Sequence, residues 1–264
     1  ALAQLLDKKG QVPCLSPPQK ATQEVGKVEM LLESTEPATQ LSTANREDAL
    51  IEAARLMALG QIEDEEAKYP AAESCYLSAI KIFEEQGDRT GKGEALGHLG
   101  NVYINKGEID RADELFTQAI DIAREMGDKE TESINLGNAG SISLNKGELD
   151  RAAALFTQAL DIAREIGNEH SVGIHLSNLG NIYRQQGDLN RGRSHYTQAL
   201  NIARKIGNKR SEGSTLANLG STYHLKGELD LADSHYTQAL KIAQEIGNKR
   251  SETLILGSLG IIYL

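Results

Sequence analysis

Residues 176–190 read LSNLGNIYRQQGDLN, and closely related stretches stand at residues 96–110, 136–150 and 216–230. Their central glycines, Gly100, Gly140, Gly180 and Gly220, are 40 residues apart, and a second glycine follows each of them after seven residues. A fixed period of this length is typical of architectures in which one supersecondary unit is copied along the chain. We therefore expect one folding unit for every 40 residues.

Each unit is predicted to contain two amphipathic helices. On a helical wheel with about 100° per residue, the first helix has one apolar face, formed by Leu176, Leu179, Ile182 and Tyr183. In the second helix, small and large apolar residues recur at helical spacing and predict a buried stripe: Gly192, Tyr196, Ala199, Ala203 and Ile206. A single hairpin of this size has a small core, so the pattern predicts stacked hairpins, an α-solenoid.

Glycines mark the ends and the contacts of these helices. Glycine adopts the left-handed conformation that commonly ends a helix, which explains a glycine at each boundary. The glycine at 180 and its equivalents are predicted to let the two helices of a unit approach closely. Four polar residues are predicted to be the N-caps of the second helices: Asp110, Asp150, Asn190 and Asp230.

The pattern L-x-x-L-G-x-x-Y-x-x-x-G, followed by A-x-x-x-[FY]-x-x-A, resembles that of tetratricopeptide repeats, from about Ile51 to Leu264. The 40-residue period is similar to the subclass found in Pins-type adaptors, kinesin light chain and bacterial multidomain regulators. The resemblance implies an all-α fold, a right-handed α-solenoid of stacked antiparallel helix pairs. It also implies a non-catalytic scaffold for protein–protein interaction.

The predicted organisation has two parts. Residues 1–44 are interpreted as one or more helical segments with a proline-containing linker, and residues 45–264 as the repeat array. The array comprises an atypical first repeat, four regular repeats and a half repeat, at 45–89, 90–129, 130–169, 170–209, 210–249 and 250–264. The half repeat is apolar almost all round, so we expect either that the natural chain continues beyond it or that this end docks on another surface.

The resemblance implies a concave groove lined by the first helices, on the face opposite the core. An asparagine amide is both a donor and an acceptor, so asparagines repeated along the groove can pair with a peptide backbone. The predicted groove residues are His98, Asn101, Asn105, Asn138, Asn145, Asn178, Asn181, Arg184, Gln185, Asn218 and His224. The competing interpretation, that the asparagines tie neighbouring helices together or only reflect duplication, stays open.

One binding mode of the family is not expected here. Relatives that clamp a terminal carboxylate carry a lysine three residues before the central glycine. In this chain that position holds a small residue in every copy: Gly97, Gly137, Ser177, Ala217 and Gly257.

Composition and charge exclude several function classes. The net charge of −10 argues against a nucleic-acid partner, and no apolar run is long enough to span a bilayer. Cys14 and Cys75 have no metal-ligand spacing, and His195 and His235, one repeat apart, indicate a structural position. We therefore expect a cytoplasmic protein without catalysis, metal or cofactor, which binds a protein or peptide segment and neither nucleic acid nor membrane.

Residues 171–210 form a basic exception within the acidic chain. Their positive side chains give two open interpretations, a solvated surface or a site for an acidic partner: Arg191, Arg193, Arg204, Lys205, Lys209 and Arg210. Two alternatives to a groove-binding scaffold also stay open. One is a sensing or autoinhibitory arm of a larger protease or NTPase, and the other is self-association through the apolar segment 250–264.

Overall fold

The computed structural model describes residues 38–263, with side chains from residue 45 onward, and this part contains eleven α-helices and no strand. The predicted linker before residue 38 lies outside the described residues. The chain divides into two compact units, Ala1–Asp88 and Arg89–Leu264. None of the helices in the described part is long and apolar enough to cross a membrane.

The first unit contains α1 (Ala38–Glu65) and α2 (Tyr69–Gln86), which pack against each other. Pro70 stands in the first turn of α2, where a missing backbone N–H costs little. Ala67 in the turn has φ 58°, a left-handed conformation for which the later repeats use glycine. The ring of Tyr76 lies over Gly60, where an added Cβ would be 2.9 Å from ring carbons.

The second unit contains nine helices: α3 (Arg89–Lys106), α4 (Ile109–Met126), α5 (Lys129–Asn145), α6 (Leu149–Glu165), α7 (Glu169–Gln185), α8 (Leu189–Lys205), α9 (Lys209–Leu225), α10 (Leu229–Glu245) and α11 (Lys249–Ile262). Odd-numbered helices are the first helices of the repeats, and even-numbered helices are the second helices. Each helix packs on the next, and each first helix also contacts the first helix of the following repeat. The predicted α-solenoid of helix pairs is confirmed.

The predicted core stripes are buried except for Tyr183, which is half-buried, and Ile206, which is exposed. In α7, Leu176, Leu179 and Ile182 are at most 2% exposed, and in α8, Tyr196 is fully buried. Ile206 was predicted to continue the α8 stripe, but its side chain is 38% exposed. The prediction was wrong because α8 ends at Lys205, so Ile206 caps the helix beyond its last packed turn.

The helix ends confirm the role of the glycines and correct the predicted caps. Gly107 has φ 80°, and its N–H donates to the Ile104 carbonyl, as in a left-handed C-cap. The turn is so short that α4 begins at Ile109, which makes Glu108 the N-cap residue and places the predicted cap, Asp110, in the first turn. The same two-residue shift displaces the other predicted caps, and the observed N-cap residues are Glu148, Asp188 and Glu228.

The central glycines let the aromatic ring of the second helix lie directly on the first helix. An added Cβ at Gly180 would be 2.6 Å from Cε1 of Tyr196, and one at Gly140 would be 3.1 Å from Cδ2 of Phe156. Distances this short require the ring or the helix to move. The prediction of close approach at these glycines is therefore confirmed.

We expect Gly180→Ala to lower the free energy of unfolding by about 1–3 kcal/mol, because the new methyl group would overpack against Tyr196. The matched control is Gly260→Ala, at the equivalent position of α11, where an added Cβ meets nothing within 4 Å. This second change should be neutral or stabilise by up to about 1 kcal/mol, since alanine favours the helix. Urea denaturation of both variants tests the pair, and equal effects would contradict the packing argument.

Candidate interaction surface

One stripe of each first helix is only partly covered by other helices. In α7 it consists of Ile174, Asn178, Asn181 and Gln185, at the helical spacing i, i+4, i+7 and i+11. Ile174 and Gln185 are exposed, and the two asparagines between them are half-buried. We call this stripe and its equivalents in α3, α5 and α9 the groove face.

The structure places every predicted groove residue on a first helix. The exposed members are His98, Asn105, Asn145 and Gln185. The half-buried members are Asn101, Asn138, Asn178, Asn181, Arg184, Asn218 and His224. The role of these residues in binding stays a prediction.

Hydrogen bonds divide the asparagines into two groups. Asn138 Nδ2 lies 3.4 Å from Asn101 Oδ1 and links α5 to α3, and Asn181 Oδ1 accepts a hydrogen bond of 2.6 Å from the Tyr196 hydroxyl. In contrast, the side-chain amides of Asn178 and Asn218 make no hydrogen bond to any described residue. Structural ties therefore account for part of the asparagine pattern, and these two amides remain available to a ligand.

Two exposed apolar residues on the same face were not among the predicted groove residues. Ile134 and Ile174 are 49% and 43% exposed, one helical turn before Asn138 and Asn178. The signal was present in the spacing, because an i−4 step from each asparagine reaches an isoleucine on the same side of the helix. The groove face therefore offers an apolar row beside an amide row.

Side chains of the next repeat pack against the position three residues before the central glycine, where carboxylate-clamping relatives carry a lysine. An added Cβ at Gly137 would be 2.8 Å from Cε1 of His175, and one at Gly97 would be 2.7 Å from Oδ1 of Asn135. These glycines lie between successive first helices, which leaves a lysine side chain no room. This packing is the physical reason for glycine at positions 97 and 137.

His175 is a buried polar residue whose role the sequence did not indicate. Its side chain is 4% exposed, and its Nε2 lies 3.3 Å from the Ser133 hydroxyl. Because that hydroxyl donates to the Ala159 carbonyl, it accepts its second hydrogen bond from Nε2–H of His175. Burial lowers the pKa of His175 to about 4. The residue therefore joins α5, α6 and α7 in its uncharged form.

The two histidines one repeat apart occupy equivalent packed positions, as predicted. His195 stacks on Tyr183 with ring centroids 5.2 Å apart, and His235 stacks on Tyr223 at 5.1 Å. Burial lowers the pKa of both imidazoles. Within the described residues, no group of three or more His, Cys, Asp or Glu side chains is arranged to hold a metal ion.

Most of the basic side chains in the 171–210 region are paired within the chain. Arg191 forms an ion pair with Asp188 at 2.6 Å, and Arg204 and Lys209 both pair with Glu212, at 3.0 and 3.1 Å. Lys205 pairs with Glu169. These contacts favour the interpretation of a solvated surface, and the acidic-partner interpretation depends on Arg193 and Arg210.

The last helix exposes apolar side chains whose equivalents are buried in earlier repeats. Leu256 is 50% exposed in α11, whereas Leu216, at the same position of α9, is 1% exposed. Ile261 and Tyr263 are also exposed, at 63% and 74%. Self-association through this helix stays a prediction.

Comparisons with known proteins agree with this architecture. Four overlapping stretches match the Tetratricopeptide repeat family, at residues 50–125, 91–165, 130–205 and 171–245. A search of curated proteins found no match.

Solved structures share the fold at low sequence identity. BtubC (BKLC) from P. vanneervenii is 22% identical, with a TM-score of 0.67 over 80% of this chain and 93% of its own. The apo form of RapI is 20% identical, with a TM-score of 0.75 over 81% of this chain and 78% of its own. A Rap protein complexed with Competence and Sporulation Factor is 18% identical, with a TM-score of 0.66 over 81% of this chain and 60% of its own.

The repeat period, the glycine–aromatic contacts and the matched stretches agree on one assignment. The matched stretches together extend from residue 50 to residue 245, which is most of the chain. The chain belongs to the tetratricopeptide repeat family, whose repeats form protein-interaction scaffolds.

Proposed function

We propose that the groove face of α5, α7 and α9 binds an extended segment of a partner protein. The observation that carries the proposal is the pair of amides on neighbouring first helices, Asn178 and Asn218, which have no hydrogen-bond partner among the described residues. Ile174 supplies exposed apolar surface one turn before Asn178, and Ile134 supplies it at the same position of α5. The face thus combines amides that can hydrogen-bond to the backbone of a bound peptide with isoleucines that can contact its apolar side chains.

The spacing of the helices suits an extended chain. Packed helices lie about 8–10 Å apart, and an extended peptide advances about 3.3 Å per residue. Amides on successive first helices would therefore meet backbone groups about three residues apart. An amide pairs with a backbone N–H and a backbone C=O whatever the side chains are, so apolar contacts with the isoleucines would supply the selectivity.

The comparisons support a binding role for the fold. A Rap protein of this fold was solved in complex with Competence and Sporulation Factor. For the present chain, the proposal depends on the chemistry of its own groove face, because the likeness is limited to the fold.

The test is a peptide-library selection against the wild-type chain, followed by affinity measurement with the Asn178→Ala/Asn218→Ala variant. Each amide lost from a ligand costs about 1 kcal/mol, so we expect the double variant to bind selected peptides about tenfold or more weakly. Its melting temperature should stay close to that of the wild type, because neither amide bonds to a described residue.

The matched control removes two amides from the second helices. Gln118 and Gln238 are exposed on α4 and α10, and Gln118→Ala/Gln238→Ala should leave peptide binding unchanged. Equal affinities of the wild type and the Asn178/Asn218 variant would refute the proposal. A large loss of stability in that variant would instead show that the asparagines tie helices together.

A further inference from the structure

A cavity of about 420 Å³ opens among the end of α6, α7 and α8, away from the groove-face residues. Its polar lining includes Arg164, Gln198 and Asn201, and its apolar lining includes Val172, Leu176 and Ile202. The cavity combines one guanidinium group with an aliphatic wall.

Two other repeats show what the equivalent arginine binds. Arg124 and Arg204 occupy the position of Arg164 in the repeats before and after it, 40 residues away in each direction. Arg124 Nε lies 2.8 Å from an oxygen of Glu132, and Arg204 Nε lies 3.0 Å from an oxygen of Glu212. Both glutamates stand eight residues before the central glycine of their first helix and are less than 9% exposed. In both repeats the arginine is thus paired with the carboxylate of a buried glutamate.

The repeat that contains the cavity has lost this carboxylate. Val172 stands where the other two repeats have Glu132 and Glu212. The ion pair that Arg164 makes among the described residues is a distant one, 3.9 Å to Asp161 on its own helix. The valine therefore leaves the arginine without its carboxylate and adds apolar surface to the cavity wall.

The neighbouring polar groups do not replace the missing glutamate. Glu169 also lines the cavity, but its carboxylate pairs with Lys205. Gln158 accepts a hydrogen bond from Arg124 at 3.1 Å, whereas its equivalent, Gln198, turns its amide back to the Ser194 carbonyl at 3.4 Å. The guanidinium group of Arg164 is left as the principal unmatched charge of the cavity.

We propose that this cavity binds a glutamate side chain presented by a partner protein. The carboxylate would take the place that Glu132 and Glu212 take in their own repeats, with Arg164 donating two hydrogen bonds in the planar arrangement that carboxylates prefer. Val172, Leu176 and Ile202 would pack against the side-chain methylenes and an adjacent apolar residue. The site is separate from the groove face, so the inference does not depend on the proposed function.

The test is a titration of the isotopically labelled chain, followed by NMR, with the probe acetyl-Leu-Glu-Leu-amide. Hexanoate is the free-acid arm, and acetyl-Leu-Gln-Leu-amide is the uncharged control. We expect the glutamate peptide to shift the Arg164 side-chain N–H signal and the amides of Val172 and Leu176. We also expect binding to weaken about tenfold or more in Arg164→Ala and with the glutamine peptide.

Two further variants sharpen the result. Val172→Glu rebuilds the ion pair of the sister repeats, so it should fold, keep its melting temperature and abolish binding of the peptide. Arg250→Ala removes an exposed arginine of α11 that does not line the cavity and has no ion-pair partner among the described residues, and it should bind like the wild type. If Val172→Glu fails to fold, the comparison of Arg164→Ala with Arg250→Ala still decides.

Three outcomes would overturn the proposal. The first is no shift with the glutamate peptide, and the second is equal binding by the wild type and Arg164→Ala. The third is binding of hexanoate without binding of the peptide, which would assign the cavity to a small free acid and not to a partner protein.

Discussion

Phe156→Ala should lower the free energy of unfolding of the second unit by about 3–5 kcal/mol, the usual cost of removing a buried aromatic ring. Phe156 is 1% exposed and lies on Gly140. Its ring also belongs to one core cluster with Leu176 on α7 and Ala199 on α8. Its loss would leave a cavity that joins two repeats. Urea denaturation followed by circular dichroism measures the effect.

The matched control for this variant is Ile174→Ala, in the same part of the array. Ile174 is 43% exposed, so its truncation should change stability by less than about 0.5 kcal/mol. Because repeat arrays open in parts, hydrogen exchange should show the loss for Phe156→Ala concentrated in α5, α6 and α7. Similar losses in the two variants, or a loss spread evenly over the unit, would contradict the packing described.

The second large effect is a dependence of stability on pH through His175. Its pKa is lowered by burial from 6.5 to about 4 in the folded chain. Between these two values the unfolded chain binds more protons than the folded chain, so stability rises with pH. The contribution is fully present above about pH 6.5 and is lost as the pH falls toward 4. A shift of this size corresponds to about 3 kcal/mol.

The control for this effect is taken from the chain itself. Asn135 stands at the position of His175 one repeat earlier, where it faces Gly97 as His175 faces Gly137. His175→Asn should therefore fold and should lose the part of the pH dependence that lies between pH 4 and 6.5. Denaturant melts of both proteins across this range give the difference. Parallel stability profiles would show that His175 does not titrate as described.

Local rules were sufficient to predict much of the fold from the sequence. The 40-residue period gave the helix pairs, and the wheel placed Leu176 and Leu179 in the core because helical spacing alone decides which side chains share a face. The helix ends were less predictable. Asp110 was assigned as a cap, but the two-residue turn started α4 earlier, and Ile206 fell beyond the end of α8.

The candidate surfaces depended on the tertiary structure to a greater extent. The sequence placed the asparagines on one face but could not show which of them are bonded within the chain. The hydrogen bond between Asn138 and Asn101, for example, exists only where α3 and α5 meet. The exposure of Ile134 and Ile174 likewise depends on how far neighbouring helices cover each turn.

The sequence by itself determined the repeat, the helix pairs and the close approach of helices at the central glycines, since these features are copied with every unit. Only the tertiary structure decided which charges are satisfied and which are left over. Lys205 is matched by Glu169, and Arg164 faces Val172 where its sister arginines face glutamates. The physical reason is that these partners come from different helices, and their pairing becomes visible only when the helices are packed together.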